Sequence, residues 1–373
     1  MANVLSIVTY KIFPPKLGGQ KGIALFNQYI SKEVDLFCFT ICDNDPSLAS
    51  YKVYNEMENG KWRYINPFNF KKLKKIIKKN NISHVVIEHP YYGWMGLLLK
   101  KYCKVKVIVH SHNIESERFR TVGKWWWKIL WHYEKWIHHK TDFTFCITPQ
   151  DQTYFKEQYQ IPFEKSTVIT YGISWNIIPS ASEKLMAKNK LLGKYSLSPQ
   201  THLFLFNGTL NYQPNLIAVK NIVEKINPLF IQKQIPYKII ICGKGLPDEM
   251  NDLKEYAHQN IIYAGFVDDI SEYFKGANVF INPVTEGGGI KTKLVEALGY
   301  NMNAVSTIDG AIGVEKNLCN EKLYLTPNED WQMFADKMET SLSNFNNISP
   351  AYFHHFYWKD IAAKAADVIE KLK

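Results

Sequence analysis

Between Asn278 and Tyr300 the chain reads NVFINPVTEGGGIKTKLVEALGY, and the residue types there are suited to holding an anion. Three consecutive glycines, Gly287, Gly288 and Gly289, follow an apolar β-type run, Val279-Phe280-Ile281. Behind them Ile290, Leu294, Ala297 and Leu298 are spaced for one buried helical face. A strand, a glycine loop and a helix in succession present backbone N–H groups to a phosphate. Lys291 and Lys293 add cations near the helix start, and Glu296 adds a carboxylate able to accept from sugar hydroxyls. Close backbone packing also selects glycines in such turns. It does not select lysines, which oppose the helix dipole in a first turn, so anion binding is the better reading. Residues two apart in a helix point about 200° away from each other. Both lysines can therefore reach one diphosphate only if the helix begins after Lys291, which makes Lys293 the firmer contact.

The elements that must position these groups follow a regular pattern. In the first half, apolar runs at Val4–Val8, Leu36–Ile41, His84–Glu88, Val105–His110 and Phe143–Ile147 alternate with amphipathic helical stretches. Runs beginning at His202, Tyr237, Ile261 and Met302 continue the alternation. This predicts an α/β protein with parallel sheets covered on both faces. Ligands in such folds bind beyond the C-terminal strand ends. The first such end leads into Lys11–Gln20, a loop with Gly18 and Gly19; the third-quarter strand from His202 ends at Gly208, with Pro214 placed to start a helix. After Val105–Val109 come His110 and His112, and two histidines at a strand end are poorly explained by core packing. With no third ligand evident they do not read as a metal site. Residues 174–200 are polar and lack a strong strand, so the predicted division is 1–175, 176–355 and a C-terminal helix over 356–373.

The 278–300 segment resembles the donor-binding motif of the family 4 (group 1) retaining glycosyltransferases, which have the GT-B fold. Pro283, Gly287 to Gly289, Lys291, Lys293, Glu296 and Ala297 fit the pattern P-x-x-x-G-G-G-x-K-x-K-x-x-E-A. Many members carry a glutamate eight positions before Glu296; here Gly288 stands there and Glu286 is the nearby substitute. The resemblance implies two Rossmann-like domains facing across a cleft, with the last helix crossing back to the first domain. His110-Ser-His112-Asn113-Ile-Glu115-Ser116 is similar to the family's H-N-x-E-S run. That likeness places His112 under the donor anomeric carbon, with His110, Asn113 and Glu115 on the acceptor side. It also puts Gly18, Gly19 and Gly208 near phosphate, Phe266 and Val267 at the donor base, and Ile290 within the donor loop. Some relatives place an Arg and a Lys soon after the residue matching Gly208; this chain has Asn211 and Gln213, leaving the phosphate charge to Lys291 and Lys293. Asp43-Asn44-Asp45 matches a DxD metal motif loosely, at a place that is wrong for this fold.

What the resemblance implies is a metal-independent, retaining hexosyltransferase using a nucleotide-diphosphate sugar as substrate. Its catalytic residues would be His112, Lys293 and Glu296, its acceptor a glycan or lipid-linked molecule, and its setting cell-envelope polysaccharide synthesis. A nucleotide-sugar epimerase or hydrolase of the same fold and a non-catalytic nucleotide-sugar-binding protein are the alternatives.

Composition narrows the partners. Lys+Arg 45 against Asp+Glu 35 gives +10, which suits phosphate-bearing ligands, anionic membrane surfaces or nucleic acid. A nucleic-acid groove would interleave aromatics with basic residues, whereas the aromatics here concentrate in KWWWKILWHYEKWIHHK, residues 124–140. On a helical wheel Trp125, Trp126, Ile129, Leu130, Tyr133, Trp136 and Ile137 form a core-facing stripe, leaving Trp127 and Trp131 outside among lysines. That pair fits either an interfacial membrane helix or packing against a surface element. Residues 71–79, KKLKKIIKK, form a second basic helix that can meet anionic lipid. Six cysteines without CxxC or zinc spacing read as reduced thiols. MANVLSIVTYKIF reads as a first strand rather than a signal peptide, and no apolar run approaches the ~20 residues of a membrane span. The expectation is a cytoplasmic protein, at the inner face of the membrane if residues 124–140 meet lipid.

Overall fold

A run such as Val4–Val8 is stable as a strand only when both of its faces are covered. The computed structural model, which describes residues 1–15 and 18–372, covers every such run with helices in two compact units. Unit 1 comprises 1–174, 288–290 and 356–373; unit 2 comprises 175–287 and 291–355. Lys16 and Leu17 of the glycine loop expected at Lys11–Gln20 lie outside the described residues.

Unit 1 is built on seven parallel strands: β1 (Asn3–Val8), β2 (Asp35–Ile41), β3 (Lys52–Met57), β4 (His84–Glu88), β5 (Lys106–Ser111), β6 (Phe143–Cys146) and β7 (Ser166–Val168). Their order is β3-β2-β1-β4-β5-β6-β7, so the chain reverses direction of growth between β1 and β4. Unit 2 has β8 (His202–Asn207), β9 (Tyr237–Cys242), β10 (Ile261–Gly265), β11 (Val279–Asn282), β12 (Asn303–Thr307) and β13 (Leu323–Thr326), in the order β10-β9-β8-β11-β12-β13. Its reversal falls between β8 and β11. In open α/β sheets these reversals are where a crevice opens at the strand C-termini. Glu88 and His89 end β4 at the first, and Gly208 and the 283–291 loop follow β8 and β11 at the second.

Both sheets are sealed by apolar packing. Leu5, Ile7, Phe39, Val85, Ile87 and Val107 are fully buried in unit 1, and Phe204, Phe206, Ile239, Ile241, Val279 and Ile281 in unit 2. At about 1.5–3 kcal/mol for each large side chain removed from water, such residues dominate the favourable side of folding.

The helix expected over 356–373 is found at Trp358–Lys371, and a further helix, Pro350–Phe356, precedes it. Tyr357 separates the two with extended backbone, φ −83° and ψ 124°, because the chain there pairs with Ile173 as a short parallel bridge. Ile173 N–H donates to Phe356 O at 2.6 Å and Trp358 N–H to Ile173 O at 3.0 Å. Trp358, Ile361, Ala362, Ala365 and Ile369, spaced 3, 1, 3 and 4 apart, are the buried stripe of the last helix. Within unit 1 it packs on the Gly18–Ile30 helix, with the Trp358 ring 6.5 Å from Phe26.

Asp43-Asn44-Asp45 has a structural task. Asn44 Oδ1 accepts from the backbone of Ile12 and Phe13, both at 2.7 Å, and Asp45 caps the turn Pro46–Leu48 through Ser47 N–H. All six cysteines are unpaired thiols. Among the described residues, no helix is long and apolar enough to cross a membrane.

Candidate active site

In unit 2 three glycines line adjacent strand ends. Gly208 follows β8, Gly243 follows β9 and Gly265 ends β10, and Gly243 N–H donates to Gly265 O at 2.7 Å while Gly208 N–H donates to Cys242 O at 3.1 Å. A Cβ on Gly243, at φ +151°, would lie 1.9 Å from Gly208 O. Only glycine permits this approach, and it leaves a bare backbone floor beyond the strands. Phe266, immediately after Gly265, is 68% exposed, and Val267 is half-buried.

The 283–291 loop comes next. Gly287 sits at φ +89° and packs beside Pro214 and Tyr212, at the start of the Gln213–Lys220 helix. The Thr292–Gly299 helix begins one residue after Lys291, whose backbone is extended, with φ −88° and ψ 93°. The condition set by the sequence, a helix starting after Lys291, is met. Lys291 Nζ donates to Gly287 O at 2.6 Å, tying the loop to its own end. Lys293, in the first turn, is buried; its Nζ donates to Asn215 Oδ1 at 2.9 Å and lies 4.0 Å from the Phe206 ring centroid. Asn215 Nδ2 in turn donates to Thr209 O, so one amide links Lys293 to the loop after Gly208. Burial, and then the nearby Lys291, hold the Lys293 ammonium well below the ordinary lysine pKa. Neither Asn215 nor Phe206 carries negative charge, so the site spends stability on a cation that an arriving anion would neutralise. Glu296 is half-buried on the same helix and Glu286 is exposed in the loop. Tyr352 Oη donates to Val295 O and Trp175 Nε1 to Gly299 O, which anchors the middle and end of that helix.

Unit 1 holds a different cluster at the ends of β4 and β5. Glu88, fully buried, faces two imidazoles: His112 Nε2 at 2.6 Å and His110 Nδ1 at 3.0 Å. Burial alone would raise the Glu88 pKa, but the imidazoles of His110 and His112 outweigh it and bring it to about 2. His112 is pushed down to about 3 by burial and by His110, against the pull of Glu88. A neutral His112 facing an ionised Glu88 must carry its hydrogen on Nε2. Next to them Glu115 accepts from His89 at 2.9 Å, from Arg118 at 2.9 Å and from Tyr91. Burial opposes its ionisation, and His89 and Arg118 overcome it to give a pKa of about 2.

One atom each of Glu88, His110 and His112 lies within 4.8 Å of the others. Glu88 is therefore the third group that spacing alone did not supply. Its contacts of 2.6 and 3.0 Å are hydrogen-bond lengths. Donors sharing a tetrahedral zinc, with bonds near 2.0 Å, stand about 3.3 Å apart. His112 is hydrogen-bonded to Glu88, whereas Glu88 Oε1 and both ring nitrogens of His110 have no hydrogen-bond partner among the described residues.

A third buried carboxylate holds the start of the Glu115–Thr121 helix. Glu134, on the Trp127–Lys140 helix, accepts from Glu115 N–H at 3.0 Å, Ser116 N–H at 2.7 Å and Tyr159 Oη at 3.0 Å. It thereby caps the Glu115–Thr121 helix from outside. Burial raises its pKa to about 7 against these donors.

The structure thus gathers His110, His112, Asn113 and Glu115 in unit 1, and Gly208, Gly287, Lys291 and Lys293 in unit 2. Gly18 and Gly19 are not in a loop: they form the first turn of the Gly18–Ile30 helix. Glu115 is fully buried and occupied by its neighbours rather than placed at an open surface. Glu88, His89 and Glu134 were missed. Glu88 and His89 lie where β4 ends, which is where the rule about strand C-termini directs attention.

The inner face expected of the tryptophan-rich helix is found only in part: Ile137 is buried and Trp126, Leu130 and Tyr133 are half-buried, but the rest of the stripe is turned out. Its buried residues are Glu134, Ile137 and His138, while Trp125, Ile129 and Trp136 are exposed. Trp131, expected outside, packs at the edge of the Ile114, Phe155 and Tyr159 cluster and donates to Tyr154 Oη at 3.1 Å; Trp127 is half-buried. The polar anchors Glu134 and His138, the latter bonded to Thr144, fix the inner face and turn the apolar residues out.

This pairing of two Rossmann-like units, one with a buried carboxylate–imidazole cluster and one with a glycine floor and a buried lysine, defines a class of two-domain α/β transferase. Residues 30–174 match the family model described as Glycosyltransferase Family 4, and residues 201–344 match Glycosyl transferases group 1. The chain belongs to the group 1 glycosyltransferases and has the GT-B fold. Among solved structures, it is similar to a sucrose-phosphate synthase from Thermosynechococcus elongatus, with TM-score 0.72 and 14% identity over 100% of this chain and 99% of that one. It is similar to HepE of Anabaena in complex with UDP-glucose, with TM-score 0.71 and 14% identity over 99% and 100% of the two chains. It also resembles an "uncharacterized 44.6 kDa protein in cps region" of Klebsiella pneumoniae, at 26% identity over 158 residues. That match spans 41% of this chain and 40% of the relative.

Proposed function

We propose that this glycosyltransferase moves a hexose from a nucleotide-diphosphate sugar to a glycan or lipid-linked acceptor, with retention at the anomeric carbon, in cell-envelope polysaccharide synthesis. The observation that carries the donor assignment is Lys293, a buried cation whose partners are an amide and a ring, beside the glycine-lined ends of β8, β9 and β10. Such a charge, fixed before the reaction, stabilises a leaving diphosphate without reorganisation. In this reading Lys291 and the backbone of Gly287–Gly289 share that role. Glu296 accepts from the ribose, Glu286 approaches the hexose, and Phe266 and Val267 lie along the base. His112, oriented by Glu88, sits at the sugar, and the leaving phosphate takes the acceptor proton. UDP-glucose in the complex of HepE supports the donor class, and the cps-region relative supports the polysaccharide setting. The reaction proceeds on these groups without a metal, in the cytoplasm at the inner membrane face.

The test is thermal stabilisation by a panel of UDP-, GDP- and ADP-sugars, followed by turnover of the best binder with and without EDTA. One nucleotide sugar should stabilise the protein and turn over in EDTA. Stabilisation by none of them would overturn the donor assignment. Turnover lost in EDTA and restored by Mn²⁺ would instead assign a metal, with Glu88, His110 and His112 the first groups to test.

A further inference from the structure

The Trp127–Lys140 helix presents to solvent a stripe that elsewhere would be core. Trp125 is 83% exposed, Ile129 65% and Trp136 45%. Ile129, exposed His132 and Trp136 fall at i, i+3 and i+7, one line along the helix, and Trp125 lies in the turn just before its start. Single exposed apolar residues are ordinary, but a contiguous row of this size marks a binding surface. The polar content of the helix is asymmetric as well. Its acid, Glu134, is fully buried, and the exposed charges of 124–140 are Lys124, Lys128 and Lys140.

A second segment extends the row. Trp62, Ile65 and Phe68 are each more than half exposed. Trp94 joins the two: its indole donates to Tyr64 O, and its backbone N–H donates to Tyr133 Oη, whose ring lies 6.1 Å from Trp136. Phe68 precedes the Asn69–Lys79 helix, which contains six lysines, all exposed, and no acid.

We propose that this face of unit 1, the Trp125–Ile129–Trp136 stripe together with residues 61–68, seats on the surface of an anionic lipid bilayer. Tryptophan and isoleucine enter the boundary between headgroups and acyl chains, while the flanking lysines remain among anionic headgroups. Charge selects this occupant: the exposed charges of both helices are lysines alone, and basic residues are drawn to an anionic leaflet. The inference rests on the lipid-linked acceptor reading for its purpose but not for its evidence, since none of these residues is assigned to the donor.

The test is sedimentation of the full chain with phosphatidylcholine vesicles, alone or mixed with phosphatidylglycerol. The wild-type chain should partition onto the mixed vesicles and not onto phosphatidylcholine alone. Trp125→Ser, Ile129→Ser and Trp136→Ser combined should lower that partitioning about tenfold or more, with circular dichroism and stabilisation by the nucleotide sugar unchanged. Trp131→Phe, which alters the inward face, should still bind vesicles. Equal vesicle binding by the triple variant, or none by the wild type, would overturn the proposal. So would loss of the patch's effect on lipid alongside loss of a stable self-association or a protein complex, since the face would then be a protein interface. Nucleotide-sugar stabilisation is read on the same samples. Its failure with lipid binding intact would count against the proposed function and leave this surface standing.

Discussion

The two clusters handle buried charge in opposite ways. In unit 1 three buried carboxylates face donors of their own: Glu88 has two imidazoles, Glu115 has His89, Tyr91 and Arg118, and Glu134 has two backbone N–H groups and Tyr159. In unit 2 the buried charges are lysines: Lys293, which meets an amide oxygen and a ring face, and Lys322, which donates to Asn303 Oδ1 and Asn346 O. The first arrangement pairs its carboxylates within the unit, leaving Glu88 Oε1 and the His110 ring nitrogens without a hydrogen bond among the described residues, and holds side chains and a loop in place. The second has no acidic partner among the described residues, which fits the proposed diphosphate contact at Lys293. A buried ion pair is costly to break but weakly stabilising against an apolar replacement. A buried cation without an acidic partner is costly to keep, and Lys293 differs from Lys322 in standing, through Asn215, beside the glycine-lined strand ends, which supports the proposed ligand. The comparison says that unit 1 removals should appear mainly in stability, and unit 2 removals mainly in donor binding and turnover.

The largest effect on stability should come from Glu134→Leu, which strands Glu115 N–H and Ser116 N–H and leaves the Tyr159 hydroxyl with Ser116 Oγ alone. A loss of about 4 kcal/mol is expected in urea unfolding. A change under about 1 kcal/mol would mean that the Glu115–Thr121 helix does not depend on this cap.

Glu88→Gln comes next, at about 3 kcal/mol near pH 7, with kcat falling because His112 loses its orienting anion. The sign with pH is fixed. A Glu pKa lowered from 4.5 to about 2 adds stability above pH 4.5, and this is lost as pH falls towards 2. The gap between wild type and variant should therefore narrow over that interval; a gap constant with pH would place the effect in packing instead.

Smaller, and confined to unit 2, is Glu296→Ala. It should weaken nucleotide-sugar binding by about 1.5–3 kcal/mol with little change in unfolding. Unchanged affinity in a folded variant would remove Glu296 from the donor site.

Much of this architecture could be read in advance, because parallel strands buried on both faces announce themselves as apolar runs. β4 was placed at its observed bounds and most others within a residue or two. The elements missed are edge or short strands. β3 reads Lys-Val-Tyr-Asn-Glu-Met at a sheet edge, where polar side chains are tolerated, and β13 has only four residues. The lysines were legible because they break a rule of helix electrostatics. The unit 1 carboxylates were not, since a Glu at a strand end has no signature until its partners from other strands are known. The helical wheel failed in part at 124–140 for the same reason: it ranks tryptophan above glutamate as core, whereas three donors brought from elsewhere bury Glu134.

The most direct test of the account is Lys293→Met, measured for both stability and turnover. Methionine keeps the volume and removes the charge. The depressed Lys293 pKa means that the charged form costs stability in the unliganded protein, a cost relieved as pH rises towards the ordinary value of 10.5 and absent from the variant. The account predicts a Tm equal to or above wild type and a kcat reduced about 10²-fold or more, with a smaller change in KM. A folded Lys293→Met variant with near-normal kcat would contradict it, because the diphosphate would then be held by something other than this buried cation.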